Sequence, residues 1–176
     1  MIPDHTVPRT ALEVFEMLPE GTRCEVINNL LYMSPAPTSY HQWLQTILTI
    51  EIGNRIKGKA RVLPTVDTFF ESQQSAFQPD LIVVLNTRLH IIQEKGIYGA
   101  PDVVIEILST DQKRDLVKKK RVYEKGGVKE YFAVDPETLA TTCWHLVNGT
   151  YQEQYAKKVG CFSSGILGIE FTFTYE

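Results

Sequence analysis

Two acidic residues stand where an ionised carboxylate is expensive. Glu106 interrupts the run Val103-Val104-Ile105-Glu106-Ile107-Leu108. In a strand residues 102, 104, 106 and 108 share one face and 103, 105 and 107 the other, so both faces are apolar. An unpaired ionised carboxylate there costs several kcal/mol, so Glu106 must be protonated, paired with a cation or bound to a metal. The segment "QPDLIVVL" repeats the oddity, with Asp80 immediately before another continuous apolar run. Taken alone, an Asp after Pro at a strand start is ordinary turn chemistry. If the two runs are neighbours in one sheet, Asp80 and Glu106 converge, and close carboxylates repel unless a divalent cation holds them. Oxygen ligands without histidine or cysteine favour magnesium or manganese over zinc.

Cations follow directly. "KRDLVKKKR" carries Lys or Arg at six of its nine positions, with Thr110 or Asp111 available as N-cap. Such a charge run is mostly a solvated face. On a helical wheel, however, Lys119 lies between Val122 and Tyr123, Lys120 between Leu116 and Val117, and Lys118 points away. One of Lys119 and Lys120 turns inward on this reading, and the wheel leaves both open. Two acidic metal ligands with a lysine suit phosphodiester hydrolysis: the metal activates water, and the lysine stabilises the charged transition state.

The elements that must position these groups are readable in outline. A short helical stretch over residues 11–17 precedes "CEVINNLLYMSP", where Asn28-Asn29 between apolar runs predicts a tight hairpin. In "PTSYHQWLQTILTIEIGNRIKG", Thr38 or Ser39 is the candidate N-cap of a long helix ending near Gly58, with Tyr40, Trp43, Leu44, Ile47 and Leu48 at helical spacing. Strands follow at "ARVLPTVDTFFE" and "PDLIVVL", then a turn-rich connection to Gly99, the Glu106 strand, the basic helix to Gly126-Gly127, and "KEYFAVDP". The tail reads as hairpins, with Asn148-Gly149 as a two-residue turn, and a final strand "GIEFTFTY". No repeat or low-complexity linker divides the chain. The expectation is a single α/β or α+β domain over residues 1–176 with a largely buried central sheet.

Composition excludes more than it selects. A net charge of −3 leaves room only for a local basic patch as a nucleic-acid footprint. Cys24, Cys143 and Cys161 match neither a disulfide framework nor a C-x-x-C metal site, which points to a reducing cytoplasm. No signal-peptide pattern or membrane-length apolar run is present, and no G-x-x-x-x-G-K-[ST] loop or G-x-S-x-G elbow.

The ordered set "CEVINNLLYMSPAPTSYHQ", "QPDLIVV", "GAPDVVIEILS", "RDLVKKKRVY" and "GGVKEYFAVDP" resembles the Uma-two family, relatives of the PD-(D/E)XK restriction-endonuclease superfamily, over nearly the whole chain. The resemblance implies a restriction-endonuclease-like fold, a mixed central sheet flanked by helices with N-terminal and C-terminal hairpins, and a magnesium-dependent nuclease site. Asp80 matches the Asp of the PD motif, and Glu106 the acidic residue of the (D/E)XK motif. The position two after Glu106 is Leu108 rather than lysine. In similar proteins the lysine has moved to the following helix, and alignment through Arg114-Asp115 and Tyr123 selects Lys119. Glu25 matches a glutamate of the first hairpin, read equally as a further ligand or as a cross-strand partner. His41 matches the histidine opening the long helix, where it either orients a phosphate or water or serves as a capping or packing residue.

These readings together predict a Mg2+- or Mn2+-dependent DNA endonuclease. Asp80, Glu106 and the Ile107 carbonyl bind the metal, Lys119 is catalytic, and Glu25 and His41 support them. Lys113, Lys118, Lys120 and Arg121 contact the phosphate backbone, with binding that weakens steeply with salt. A homodimer is the simplest way to cut both strands. The rival is a catalytically silent nucleic-acid-binding or regulatory protein of the same fold, with Glu106 and Lys119 as a structural ion pair. A carboxylate-pair glycosidase has no support from a sugar-sized cleft. Convergence of Asp80, Glu106 and Lys119 at a cleft favours the nuclease, whereas a buried Glu106–Lys119 pair with Asp80 remote favours the rival.

Overall fold

Continuous apolar runs become interior strands, and the turn residues between them set how those strands are joined. The computed structural model describes residues 7–19, 21–109, 114–155 and 158–175. Helix α1 (Ala11–Met17) opens with a capping box between Thr10 and Glu13. Strands β1 (Cys24–Ile27) and β2 (Leu30–Met33) form the expected hairpin. Its turn residues Asn28 and Asn29 have φ of 50° and 60°, the left-handed conformation asparagine tolerates. Helix α2 (Ser39–Arg55) starts at Thr38, whose hydroxyl accepts from the His41 N–H, so Thr38 rather than Ser39 is the cap.

The next strands are β3 (Ala60–Pro64), β4 (Thr68–Phe70), β5 (Ser75–Phe77), β6 (Leu81–Leu85), β7 (Ile92–Gln93), β8 (Gly96–Tyr98) and β9 (Val103–Ile107). A π-helical segment, Arg114–Lys119, runs into α3 (Lys120–Gly126), which ends at left-handed Gly127. Strands β10 (Glu130–Val134), β11 (Thr141–Val147), β12 (Thr150–Tyr155), β13 (Cys161–Ser164) and β14 (Ile169–Thr172) complete the chain. Asn148-Gly149 is the turn between β11 and β12, with positive φ at both residues.

The central sheet has the order β12-β11-β10-β9-β6-β3, with β9 and β10 parallel and the other pairs antiparallel. It is the expected mixed sheet. A second six-stranded sheet, β2-β1-β5-β4-β8-β7, replaces the isolated N-terminal hairpin of the sequence reading. The segment read as one strand, "ARVLPTVDTFFE", is split between the sheets: Pro64 ends β3 and Thr65 turns the chain at φ 44°. Strands β13 and β14 pair with each other as a separate two-stranded sheet.

The two faces of β9 define the two larger cores. Val103, Ile105 and Ile107 pack with Leu44, Leu48 and Ile52 of α2 and with Phe162 and Phe171 of the C-terminal hairpin. Each of those three α2 side chains is fully buried, worth about 1.5–3 kcal/mol apiece. Val104 instead joins Ile82, Val84, Phe70, Phe77, Tyr123 and Tyr131 between the central sheet, the second sheet and α3. Helix α3 reaches that layer closely, because a Cβ on Gly126 would lie 2.6 Å from the Phe70 ring. Among the described residues no helix is long and apolar enough to cross a membrane.

One buried acid beside β9 is structural. Asp102, fully buried, accepts from Lys129 Nζ at 2.7 Å, the Leu85 N–H at 2.9 Å and Arg88 Nη1 at 3.0 Å. Burial pushes its carboxyl up, but these hydrogen bonds outweigh it and hold the group below its ordinary value. The folded value being the lower one, the contribution to stability is present above the unfolded value and lost as pH falls through the folded one. Asp102→Asn is therefore expected to be less stable than wild type at neutral pH and to lose less on acidification to about pH 3. Urea denaturation at the two pH values checks this, and parallel losses in both proteins count against it.

Candidate active site

The antiparallel register of β6 and β9 pairs Leu81 with Ile105 and Val83 with Val103. Continued by one residue, it sets Asp80 opposite Glu106. The convergence expected from the two apolar runs therefore arises from direct strand pairing. Asp80 Oδ2 accepts from the Ile107 N–H at 2.7 Å and lies 3.2 Å from His41 Nε2. Gln45, one turn further along α2, donates to the Asp80 carbonyl at 2.7 Å and to Thr65 Oγ1 at 2.7 Å. The start of α2 thus holds the Asp80 segment from two sides.

Glu106 is 3% exposed and Lys119 6%. Lys119 Nζ lies 3.3 Å from Glu106 Oε1 and 2.7 Å from Glu25 Oε1. Glu25 is a cross-strand partner of Tyr32 in the β1–β2 register, but it is buried rather than half-exposed, with its carboxylate turned to Lys119. Tyr123 donates its hydroxyl to Glu106 Oε1 at 2.5 Å. Burial first, then the neighbouring Glu106 charge, push the Tyr123 phenol well above its ordinary value, so it remains a neutral donor.

Lys119 rather than Lys120 is the inward lysine. The α-helical wheel put apolar neighbours beside both lysines; residues 114–119 are π-helical, which shifts the phase of that stretch away from the α-helical wheel. Val117, which the wheel placed beside Lys120, is 56% exposed. Lys120 instead sits 4.8 Å above the Trp144 ring. Tyr123 was legible only as a neighbour of Lys119 on the wheel. Its i+4 spacing from Lys119 puts both on one helical face, the signal that marks it as a second group reaching Glu106.

Glu25, His41, Asp80, Glu106, Ile107 and Lys119 all line one cleft of about 950 Å³. Arg23, which the sequence reading missed, lines it too. The basic residues expected on the phosphate backbone are placed differently. Lys113 and the candidate caps Thr110 and Asp111 lie outside the described residues. Lys118 is exposed, 4.8 Å above the Tyr32 ring, and Arg121 is exposed. Neither they nor Lys120 are among the residues lining the cleft.

Among the described residues no three His, Cys, Asp or Glu side chains cluster as a metal cage. The donor set nevertheless fits magnesium or manganese. Mg2+ is commonly held by one or two carboxylates plus water and substrate phosphate, and Asp80 and Glu106 bring two carboxylates, hard oxygen donors by type, to one cleft. Asp80 Oδ1 accepts no hydrogen bond among the described residues, leaving it able to take a cation.

Residues 12–173 match the family model Uma2, described as "Putative restriction endonuclease". The fold is similar to a crystal structure described as a putative nuclease belonging to DUF820 from Anabaena variabilis, with a TM-score of 0.72 and 21% sequence identity over 92% of each chain. No curated protein matches the chain.

Proposed function

We propose that this chain, which belongs to the Uma2 family, is a Mg2+- or Mn2+-dependent endodeoxyribonuclease that hydrolyses phosphodiester bonds in this cleft. The observation carrying the reading is the convergence of Asp80, Glu106 and Lys119, with Asp80 tied to the Glu106 strand through the Ile107 N–H. Asp80 and Glu106 would hold the metal, with the Ile107 carbonyl as a further oxygen donor. When bound, the metal lowers the pKa of a water and neutralises charge on the phosphate. Lys119 supplies a fixed positive charge for the transition state and orients the attacking water. His41 steadies Asp80, Tyr123 steadies Glu106, and Glu25 holds the Lys119 ammonium in place.

DNA reaches the cleft past Arg23, with Lys118, Lys120 and Arg121 as outer contacts on the backbone, and two copies of the chain cut the two strands. The setting is the cytoplasm, in keeping with three free, buried cysteines. The Lys119 pairing with both Glu25 and Glu106 favours the alternative of a silent relative in which these charges only neutralise one another. Titration of manganese by calorimetry separates the two. Wild type is expected to bind, and Asp80→Ala and Glu106→Gln, each confirmed to be folded, are expected to lose binding. Absence of binding to folded wild type, even with duplex DNA present, would transfer the case to the silent relative.

A further inference from the structure

The cleft has an aromatic flank that the hydrolytic chemistry does not use. Tyr40, one residue before His41 in the first turn of α2, is 64% exposed, and Trp43, one turn later, is 50% exposed. Their rings are stacked with centroids 6.4 Å apart. Tyr175, beyond β14, meets Tyr40 edge-on at 6.1 Å and Trp43 at 5.3 Å. Tyr175 is anchored, because its hydroxyl donates to the Pro136 carbonyl at 2.5 Å. Tyr40 and Tyr175 line the same cleft as Asp80 and Glu106. Large aromatic side chains left in water beside a polar site are unusual in a monomer surface and mark a contact.

From this arrangement we infer that the cleft takes an unpaired DNA strand, with a nucleobase next to the scissile phosphate stacking on the Tyr40–Trp43–Tyr175 platform. The inference rests on the nuclease reading for what happens at the phosphate, but not for the binding itself. A base-paired nucleotide shows the grooves only its edge, whereas a single strand, flap, overhang or flipped nucleotide offers a π-face. Charge also assigns the platform to a base rather than a phosphate. The turn that anchors Tyr175 brings Asp135 and Glu137 to the same cleft, and Asp135 is fixed by accepting from the Glu137 and Thr138 N–H groups. Acidic neighbours repel a phosphodiester and tolerate a neutral base. The cations lining the cleft, Arg23 and Lys119, come from the segment before β1 and from the helix after β9, and these suit the backbone.

The chain carries a built-in probe. Of its two tryptophans Trp144 is buried at 3% exposure, so a nucleobase on the platform quenches Trp43 selectively. The experiment titrates the 176-residue chain, with Ca2+ present, with a single-stranded 12-mer, the same sequence as a blunt duplex, and an abasic strand of equal length. Direct binding is measured alongside Trp fluorescence. The expected result is saturable quenching by the base-bearing strand and affinity for it about tenfold or more above both the abasic strand and the duplex. Tyr40→Ala and Trp43→Ala remove that preference and leave duplex affinity unchanged, while Tyr40→Phe keeps it. Equal affinity for all three probes, or no DNA binding, overturns the platform. So does a result in which Trp43→Ala converts a dimer to a monomer without changing DNA binding, which assigns the rings to a second copy of the chain. Binding is read here without cleavage, so base-dependent binding combined with no plasmid nicking in magnesium or manganese sinks the nuclease reading and leaves the platform standing.

Discussion

Glu106→Gln is expected to lower metal-dependent nicking of supercoiled plasmid by about 10³-fold or more while leaving the fold intact. The substitution keeps the shape of the side chain and an oxygen for the Tyr123 hydroxyl, which donates at 2.5 Å. It removes the negative charge that a hard cation needs. Lys119 is not stranded, because Glu25 Oε1 lies 2.7 Å from its Nζ. Stability is therefore expected to stay within about 1–2 kcal/mol of wild type. This split between activity and stability tells a ligand from an ion-pair member. If Glu106 only neutralises Lys119, wild type nicks nothing in magnesium or manganese, and the substitution is felt in urea denaturation alone. Nicking by Glu106→Gln at the wild-type rate would remove Glu106 from the chemistry.

The part of this site that could be read from the sequence is the part encoded by local conflict. Asp80 and Glu106 are conspicuous because continuous apolar runs surround them, and the same runs fix β6 and β9 as interior strands. The Asn28-Asn29 and Asn148-Gly149 turns were equally legible, since each needs left-handed backbone that few residues accept. The second sheet was not. Strands β4, β5 and β8 are three residues each and β7 is two, too short to show a period, and the β4–β8 pairing is parallel across an intervening part of the central sheet. Glu25 was ambiguous for the same reason. Its burial comes from the docking of β1 against β5 within that sheet and from the approach of Lys119, neither of which a hairpin pattern encodes. The π-helical turn before α3 shifts the phase of the stretch that carries Lys119 away from the α-helical wheel. The aromatic platform needs Tyr175 brought back to the start of α2 from the far end of the chain, a tertiary fact with no local signature.

Lys119→Met is expected to be the most damaging single change, costing about 3–5 kcal/mol of stability as well as the activity. Its ammonium is the cation shared by two carboxylates, Glu25 at 5% exposure and Glu106 at 3%. Methionine fills similar volume, so packing against Phe77, whose ring centroid is 5.9 Å from Nζ, is largely kept. What is lost is the charge, leaving two buried acids facing each other across the space it occupied. Adding Glu25→Gln to Lys119→Met removes one of those acids and is expected to recover a large part of the stability. It recovers none of the nicking activity, because the ammonium that meets the charge developing on the phosphate is still missing. Urea denaturation of the wild type, both single variants and the double variant gives the coupling energy directly. A Lys119→Met protein as stable as wild type, or a double variant no more stable than Lys119→Met, would show that Lys119 is not what neutralises this buried pair, and would separate its catalytic role from any structural one.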